Sequence, residues 1–287
     1  MNPEWTPPRA INTSKPSPAR IYDYILGGKD NYEVDRAAAG TLLAAFPGMK
    51  PTLVANRKFL VRAVRYVAEQ GIDQFIDIGA GIPTSPNVPE VARAINPQTS
   101  VVGVDNDPLV LAHNRALVTV DAGTDTIEGD VRNPHQIFAD IQQTKLIDLN
   151  RPVAVLLVAI LHFVRDEDDP ARIIRKLMQH TAPGSYLIVS VATSDGTAPE
   201  VVEQLEKVYE NATEPLRIRS EREILPWFGS FTFVDPGLVD VHSWRPDTAE
   251  SKSKHAVGGL AGVALQTDWV DEYETFKDRR RLTEDEL

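Results

Sequence analysis

The stretch FIDIGAGIPTSPNV, residues 75–88, decides the fold prediction for this chain. An apolar run leads directly into Gly79-Ala80-Gly81, which is typical of a strand that ends in a ligand-binding glycine loop. A dinucleotide-binding loop would carry a third glycine where Ile82, Pro83 and Thr84 stand here. The proline has no amide hydrogen, so it removes a donor that a pyrophosphate would use. The loop therefore indicates a ligand other than a dinucleotide.

Asp77, two positions before the first glycine, points to the charge of that ligand. Its carboxylate is expected to face the group held by the loop, where it would repel a diphosphate and attract an ammonium or sulfonium group. S-adenosylmethionine carries both of these cations, and its carboxylate can use amides of the open loop formed by Gly79, Ala80 and Gly81. The pattern therefore favours S-adenosylmethionine over NAD as the cofactor.

Two further acidic residues follow the next two predicted strands. Asp105, with Asn106 beside it, ends VVGVDN and is placed to accept hydrogen bonds from ribose hydroxyls, a role shared with NAD enzymes. Asp130 is expected to accept from the adenine amino group while the Val131 amide faces a ring nitrogen, although Gly-Asp is also ordinary turn chemistry. Three acidic residues at three successive strand ends make the pattern specific.

Short apolar strands alternate with helical segments from residue 74 onward, which predicts a parallel sheet with helices on both faces. Two helical segments, 199–211 and 221–228, precede FTFVDPGLVDVHSW and GGLAGVALQ, and no helix-length segment separates these last two strand candidates. They are therefore expected to pair antiparallel. The predicted fold class is α/β: a Rossmann-like, seven-stranded, mostly parallel sheet whose last strand is antiparallel. Methyltransferases and some dehydrogenases share this layout.

The predicted organisation has four segments: a flexible, proline-containing arm (1–18), an N-terminal helical lid (19–72), the Rossmann-like domain (73–270) and a charged tail (271–287). The lid has too few apolar residues to close a core of its own. It is therefore expected to pack on the sheet edge and cover the ligand crevice.

Composition excludes several classes of function. The net charge of −11 disfavours a nucleic-acid partner, because polyanion binding usually needs a basic face. With no cysteine there are neither disulfides nor thiolate metal sites. No apolar run is long enough to span a membrane, and the N-terminus lacks the features of a secretory signal, so no membrane partner and a cytoplasmic location are expected.

The chain resembles the class I S-adenosylmethionine-dependent methyltransferases and, more narrowly, a bacterial S-adenosyl methyltransferase family formerly of unknown function. The resemblance covers about residues 15–270 and is carried by PARIYDYILGGKDNYEVDR (18–36), ANRKFL (55–60), FIDIGAGIPTSPNVPEVA (75–92), VVGVDNDPLVLAH (101–113) and LHFVRDEDDP (161–170). It implies that domain 73–270 is a methyltransferase domain that binds S-adenosylmethionine. It does not identify the acceptor.

The segment ARIYDYILGGKDNYEVDR is expected to fold over the cofactor, because Gly27-Gly28 interrupts any single amphipathic helix. Tyrosine faces there can favour a sulfonium, and Arg57 can pair with the cofactor carboxylate. The alternatives are a helix held by its own salt bridges and a surface role for Arg57. Besides the residues at the ends of the first three predicted strands, the predicted cofactor contacts are Tyr22, Tyr24, Gly28, Lys29, Asn31, Tyr32, Arg36, Arg57 and Ile160.

His162 follows the fourth strand, where methyl acceptors lie in this fold, and is the candidate general base because histidine titrates near neutrality. The alternative is a packed histidine. The acidic run 166–169 is predicted to cap the next helix rather than to hold a metal, and no metal is assigned.

The predicted function is methyl transfer from S-adenosylmethionine to an oxygen, nitrogen or carbon atom of a small molecule. No Asn-Pro-Pro-Tyr type motif follows strand four, which disfavours methylation of a nucleic-acid base. Two alternatives stay open at this point. One is a module that binds S-adenosylmethionine or S-adenosylhomocysteine without turnover, and the other is an NAD(P)-dependent oxidoreductase.

Overall fold

The structure is a computed structural model, and it describes residues 11–119, 122–229, 231–247 and 258–267. The first ten residues of the predicted arm and the whole predicted tail, 271–287, lie outside the described residues.

One mixed sheet forms the centre of the molecule, and its strands follow the order β3-β2-β1-β4-β5-β8-β6, with β7 also paired to β8. The strands β1 to β5 run parallel, whereas β8 is antiparallel to β5, β6 and β7. This confirms the predicted fold class. The strands are β1 Gln74–Ile78, β2 Ser100–Asp105, β3 Thr124–Glu128, β4 Ala154–Val158, β5 Tyr186–Thr193, β6 Thr232–Phe233, β7 Val239–Asp240 and β8 Gly258–Leu265.

The described part of the sheet has one strand more than predicted, because the segment FTFVDPGLVDVHSW forms two short strands instead of one. The N–H of Gly237 donates to the Val234 carbonyl and closes a turn at Asp235-Pro236. In addition, Pro236 has no N–H to donate to the hydrogen bonds between strands. Strand β4 ends at Val158, because Ala159 has a φ of +57°, which is incompatible with a continuing strand.

The helices between the strands begin as their sequences predict. Proline occupies the first turn of α5 to α8, where its missing N–H has no helical partner to lose. Asp169 accepts from Arg172 N and caps α7, so the acidic run supplies a helix cap as predicted. These helices are α4 Val88–Arg93, α5 Pro108–Leu117, α6 Pro134–Thr144, α7 Pro170–Met178, α8 Pro199–Tyr209 and α9 Glu221–Ile224.

Both faces of the sheet are buried in apolar layers. Val155 and Leu157 of β4 enter one layer, while Ala154 and Leu156 enter the other, which is the alternation expected of a strand covered on both sides. The second layer receives Phe59 and its neighbours from α3, so this helix is part of the main core.

Three helices precede the sheet: α1 Pro18–Leu26, α2 Glu33–Ala45 and α3 Met49–Glu69. The predicted interruption at Gly27-Gly28 is present, because α1 ends at Gly27 with a φ of +93°. Ile21 of α1, Leu42 of α2 and Leu205 of α8 share a separate apolar cluster. No helix in the described ranges is long and apolar enough to cross a membrane.

The described part of the predicted arm packs on the body of the protein. Arg20 donates to the carbonyls of Asn12 and Lys15, and Thr213 N donates to the Pro16 carbonyl. The boundary predicted at residue 18 coincides with the first residue of α1, Pro18, and stays a prediction.

Candidate functional site

A cavity of about 910 Å³ lies at the carboxyl ends of the parallel strands, beneath α1, α3 and α8. Its centre is between β1 and β4, where the strand order reverses, which is the usual ligand position in open α/β sheets. Twelve of the predicted site residues line it: Tyr22, Arg57, Asp77, Gly79, Ala80, Gly81, Asp105, Asn106, Asp130, Val131, Ile160 and His162.

The glycine loop after β1 is shaped by its own conformation and by Ile160. Gly79 and Gly81 have φ values of +76° and +66°, which favour glycine. A Cβ atom on Gly79 would lie 2.4 Å from Ile160 Cδ1. Gly79 N and Ala80 N donate to the Val104 carbonyl at 2.7 and 3.1 Å, and Gly81 N donates to Asp105 at 2.9 Å. The loop amides predicted to bind the cofactor carboxylate are thus already bonded within the protein, which corrects that expectation.

Asp77 presents to this cavity a carboxylate that has no partner among the described residues. Among the described residues, none donates a hydrogen bond to its side chain and no cation lies within ion-pair distance. Burial raises the pKa of Asp77 to about 6, and Asp105 adds to the rise while Arg57 opposes it. A bound cation would relieve this unfavourable desolvated charge.

Asp105 ends β2 and holds two backbone segments together. It accepts hydrogen bonds from Gly81 N and Asp107 N, each at 2.9 Å, and is 7% exposed. Burial raises its pKa to about 6 even though these hydrogen bonds oppose the rise. Each carboxylate oxygen still has a lone pair for a ligand hydroxyl. The amide of Asn106 donates to Glu214 at 3.1 Å.

Asp130 is engaged in an ion pair that sequence reasoning missed. Arg132 donates to both of its oxygens, with the shortest contact at 2.5 Å, and also to Glu214 at 3.2 Å. Burial alone would raise the pKa of Asp130, but Arg132 outweighs it and holds this pKa below its usual value. Asp130 and Val131 line the cavity as predicted, while the adenine contact stays a prediction. Arg132 could have been predicted as a partner, because it lies two residues after Asp130 in the sequence. Glu214 could not, because it is distant in the sequence.

Arg57 holds the chain beyond the glycine loop rather than pointing freely into the cavity. Its guanidinium donates to the carbonyls of Thr84 and Pro86, the latter at 2.6 Å. Its Nε is buried and has no hydrogen-bond partner among the described residues. Burial lowers the pKa of Arg57, against the opposing charges of Tyr22, Asp77 and Glu90.

A row of hydrogen bonds connects the N-terminal helices to the end of β4. Tyr22 O–H donates to the Leu53 carbonyl, and Asn56 donates to the Tyr22 oxygen, both at 3.2 Å. Ser190 O–H donates to Asn56 at 2.6 Å, and the N–H of Ala159 donates to Ser190 Oγ at 3.0 Å. Sequence reasoning missed Ser190, because its partners lie on other elements.

His162 lines the cavity after β4, and a backbone hydrogen bond fixes the tautomer of its neutral ring. Nδ1 accepts a hydrogen bond from Ala192 N at 3.2 Å, so the neutral ring carries its proton on Nε2. Burial, with a smaller contribution from Arg219, lowers the pKa of His162 to about 4. Near neutral pH the ring therefore offers the cavity an N–H donor, which weakens its predicted role as a general base.

Six residues predicted to contact the cofactor do not line the cavity: Tyr24, Gly28, Lys29, Asn31, Tyr32 and Arg36. They serve the turn between α1 and α2 or face outward. Asn31 donates to Asp23 at 2.8 Å, and a Cβ atom on Gly28 would lie 1.9 Å from the Asp23 carboxylate. Arg36 donates to the Asn31 carbonyl at 2.9 Å, and Lys29 is exposed. The structure therefore does not bring these six residues to the cavity, and their contact with the cofactor stays a prediction.

Comparison with known proteins agrees with the ligand class that this geometry favours. The family model described as S-adenosyl methyltransferase matches residues 4–267. None of the curated proteins matches the chain.

Two solved structures are similar over almost the whole chain, each with a TM-score of 0.84. The "putative methyltransferase" of Thermobifida fusca YX is 40% identical, with 93% of this chain and 100% of that chain covered. A DUF574 family protein from Streptomyces avermitilis MA-4680 is 39% identical, with 90% of this chain and 100% of that chain covered.

Proposed function

Since this chain belongs to the S-adenosyl methyltransferase family, whose cofactor is S-adenosylmethionine, we propose that it transfers a methyl group to a small molecule bound in the cavity. The observation that carries the proposal is the Asp77 carboxylate, which lies on the cavity wall with no hydrogen-bond donor among the described residues. A cationic cofactor would supply the missing partner.

The donor set of the cavity fits such a cofactor. Asp77 would hold its positive charge, and Asp105 has lone pairs for ribose hydroxyls. Arg57 lines the cavity, and its positive charge would favour an anionic group of the ligand nearby. A dinucleotide fits poorly, because Asp77 would repel a diphosphate held at the glycine loop.

When bound, S-adenosylmethionine supplies a methyl group attached to a positively charged sulfur. A lone pair of the acceptor atom would form the new bond to carbon as the carbon–sulfur bond breaks, with the freed electron pair left on sulfur. Any proton on the acceptor atom would then pass to water or a nearby base. The residues of this chain would align the two molecules, and alignment alone can supply a large share of the rate.

Two measurements test the proposal. Calorimetry with S-adenosylmethionine, S-adenosylhomocysteine and NADH should show binding of the first two and none of the third. Methyl-labelled S-adenosylmethionine, incubated with the protein and small-molecule extracts, should then label a product. Tight NADH binding would overturn the cofactor assignment. Cofactor binding without a labelled product in any extract would overturn methyl transfer and leave a binding module.

The Asp77→Asn variant, which keeps the size of the side chain, should lose labelled product together with cofactor affinity. Asp73→Asn is the matched control, since Asp73 lies just before β1 and pairs with Arg151 outside the cavity. Equal losses in both variants would contradict the role of Asp77.

A further inference from the structure

The cavity has two chemically different halves. One half, here called the acidic half, consists of Asp77, Asp105, Asp107, Glu128 and Asp130, which lie at or just beyond the carboxyl ends of β1, β2 and β3. The lining residues contributed by β4, β5 and α8 in the described chain carry no charge. Glu214 pairs with Arg132 and Asn106 on the acidic side. The charged lining residues of the N-terminal helices, Arg20, Asp23 and Arg57, are each hydrogen-bonded within the protein.

Three rings form a row along the uncharged half. The centroids of His162 and Phe163 are 4.5 Å apart, and those of Phe163 and Tyr209 are 5.6 Å apart. Leu205 and Ile218 line the cavity beside this row and belong to the apolar cluster of the N-terminal helices and α8. We call the three rings and these two residues the aromatic half.

Most polar groups on this half are already satisfied. His162 Nδ1 accepts from Ala192 N, and Ser190 Oγ donates to Asn56 and accepts from Ala159 N. The hydroxyl of Tyr209 is different, because no hydrogen bond joins it to any described residue. Burial raises its pKa well above the usual range, so the group stays protonated and can donate.

We propose that the methyl acceptor is an uncharged aromatic molecule that lies against the His162–Phe163–Tyr209 row and accepts a hydrogen bond from the Tyr209 hydroxyl. This inference rests on the proposed function, which places the cofactor on the acidic half. A flat ring matches the offset and edge contacts that aromatic side chains favour. A charged acceptor would lose its hydration without gaining a counter-ion on this half.

Binding of three matched probes to the protein saturated with S-adenosylhomocysteine tests the inference. The probes are 2-naphthol, 2-naphthoate and 2-naphthylmethylammonium, which share one ring system and differ in charge at pH 7. Calorimetry should show 2-naphthol binding at least about tenfold more tightly than either ion, because of the cost of desolvating an unpaired charge.

Two variants locate the bound probe. Phe163→Leu should weaken 2-naphthol binding by about three- to tenfold through loss of the ring contact. Tyr209→Phe should weaken 2-naphthol and leave naphthalene unchanged, because only the hydroxyl is lost. Tyr186→Phe on β5 is the matched control, since Tyr186 does not line the cavity.

Each outcome has one meaning. Tighter binding of either ion, no binding of 2-naphthol to the saturated protein, or equal effects of Tyr209→Phe and Tyr186→Phe would overturn the inference. Retained binding of S-adenosylhomocysteine shows in every case that the variant is folded. Failure of the unaltered protein to bind S-adenosylhomocysteine would count instead against the proposed function.

Discussion

Asp35 in the N-terminal helices and Asp77 at the end of β1 are the same residue type used in opposite ways. Asp35 is fully buried and accepts hydrogen bonds from Ser17 N, Arg20 Nε and Tyr32 N at 2.8 to 2.9 Å. Asp77 faces the cavity and receives none from the described residues. A buried carboxylate whose partners are all supplied by the fold stabilises that fold, whereas one left open is available to a ligand.

The contrast extends to the two regions as a whole. The N-terminal helices use their charges to attach themselves to the body, since Ser17 O–H donates to Asp107 at 2.6 Å just after β2. Arg20, 1% exposed, lies between Asp35 and Asp107. The strand ends instead concentrate acidic groups beside a cavity.

The largest expected effect is the loss of stability when the hydrogen-bonded carboxylate of Asp35 is replaced. Asp35→Asn should lower the free energy of unfolding by about 3–5 kcal/mol, because it removes the nearer of the two carboxylates that pair with the buried Arg20 guanidinium. Urea unfolding followed by circular dichroism measures this. The control is Asp247→Asn, which removes an exposed pair with Arg65 and should change stability by less than about 1 kcal/mol. Similar small losses in both variants would remove the distinction between the two regions.

Replacing the carboxylate of Asp77 should instead weaken ligand binding and leave stability intact. Asp77→Asn should weaken S-adenosylmethionine binding by about ten- to a hundredfold, about 1.4–2.8 kcal/mol, because a charge-assisted contact is lost. Its free energy of unfolding without cofactor should not fall. Calorimetry and urea unfolding of the same preparation test both statements, with Asp73→Asn as control. A destabilised variant with normal affinity would show that Asp77 is structural, like Asp35.

The pH dependence of stability sharpens the contrast further. The pKa of Asp77 in the folded protein is about 6, above the value of about 4 for an unfolded chain, so its charge destabilises the fold above pH 6. Asp77→Asn should therefore be more stable than the parent at pH 8, on the order of 1 kcal/mol. This advantage should disappear as the pH falls through 6 towards 4. Cofactor-free protein unfolded by urea at pH 8, 6 and 4.5 provides the measurement, and an advantage that does not vary with pH would contradict it.

The smallest effect concerns the uncharged side of the cavity. His162 should show no protonation between pH 8 and 6 and a midpoint near 4, because burial disfavours the imidazolium. Nitrogen-15 NMR of the histidine rings follows the titration and should show the proton on Nε2. A midpoint near 6.5 would restore His162 as a candidate general base.

The strand ends could be predicted from sequence because short-range pattern fixes them. In a parallel sheet, the residue after each apolar run reaches the same edge, so Asp77, Asp105 and Asp130 could be placed without knowledge of any other contact. The same logic gave the glycine loop. The occupied loop amides could not be predicted, because their acceptors, the Val104 carbonyl and the Asp105 carboxylate, lie on a neighbouring strand.

The N-terminal helices were predicted less well for the same physical reason. Tyr24, Lys29 and Arg36 are chemically suited to a ligand, but what they contact depends on how α1 turns into α2. That turn is fixed by Asp23, whose carboxylate binds Asn31 and fills the space that a side chain on Gly28 would need. A polar segment around a glycine pair does not reveal whether its charges are satisfied within the segment or by a ligand.

Ala159 has a consequence for altering the acceptor preference by directed evolution. It is a non-glycine residue at a φ of +57°, at the point where the two halves of the cavity meet, and Ser190 accepts from its N–H. A β-branched side chain at this position would add to the strain that the Cβ atom of alanine already causes there. A mutant library should therefore exclude Val, Ile and Thr from position 159, admit Gly and Asn, and place most of its variation in the aromatic half.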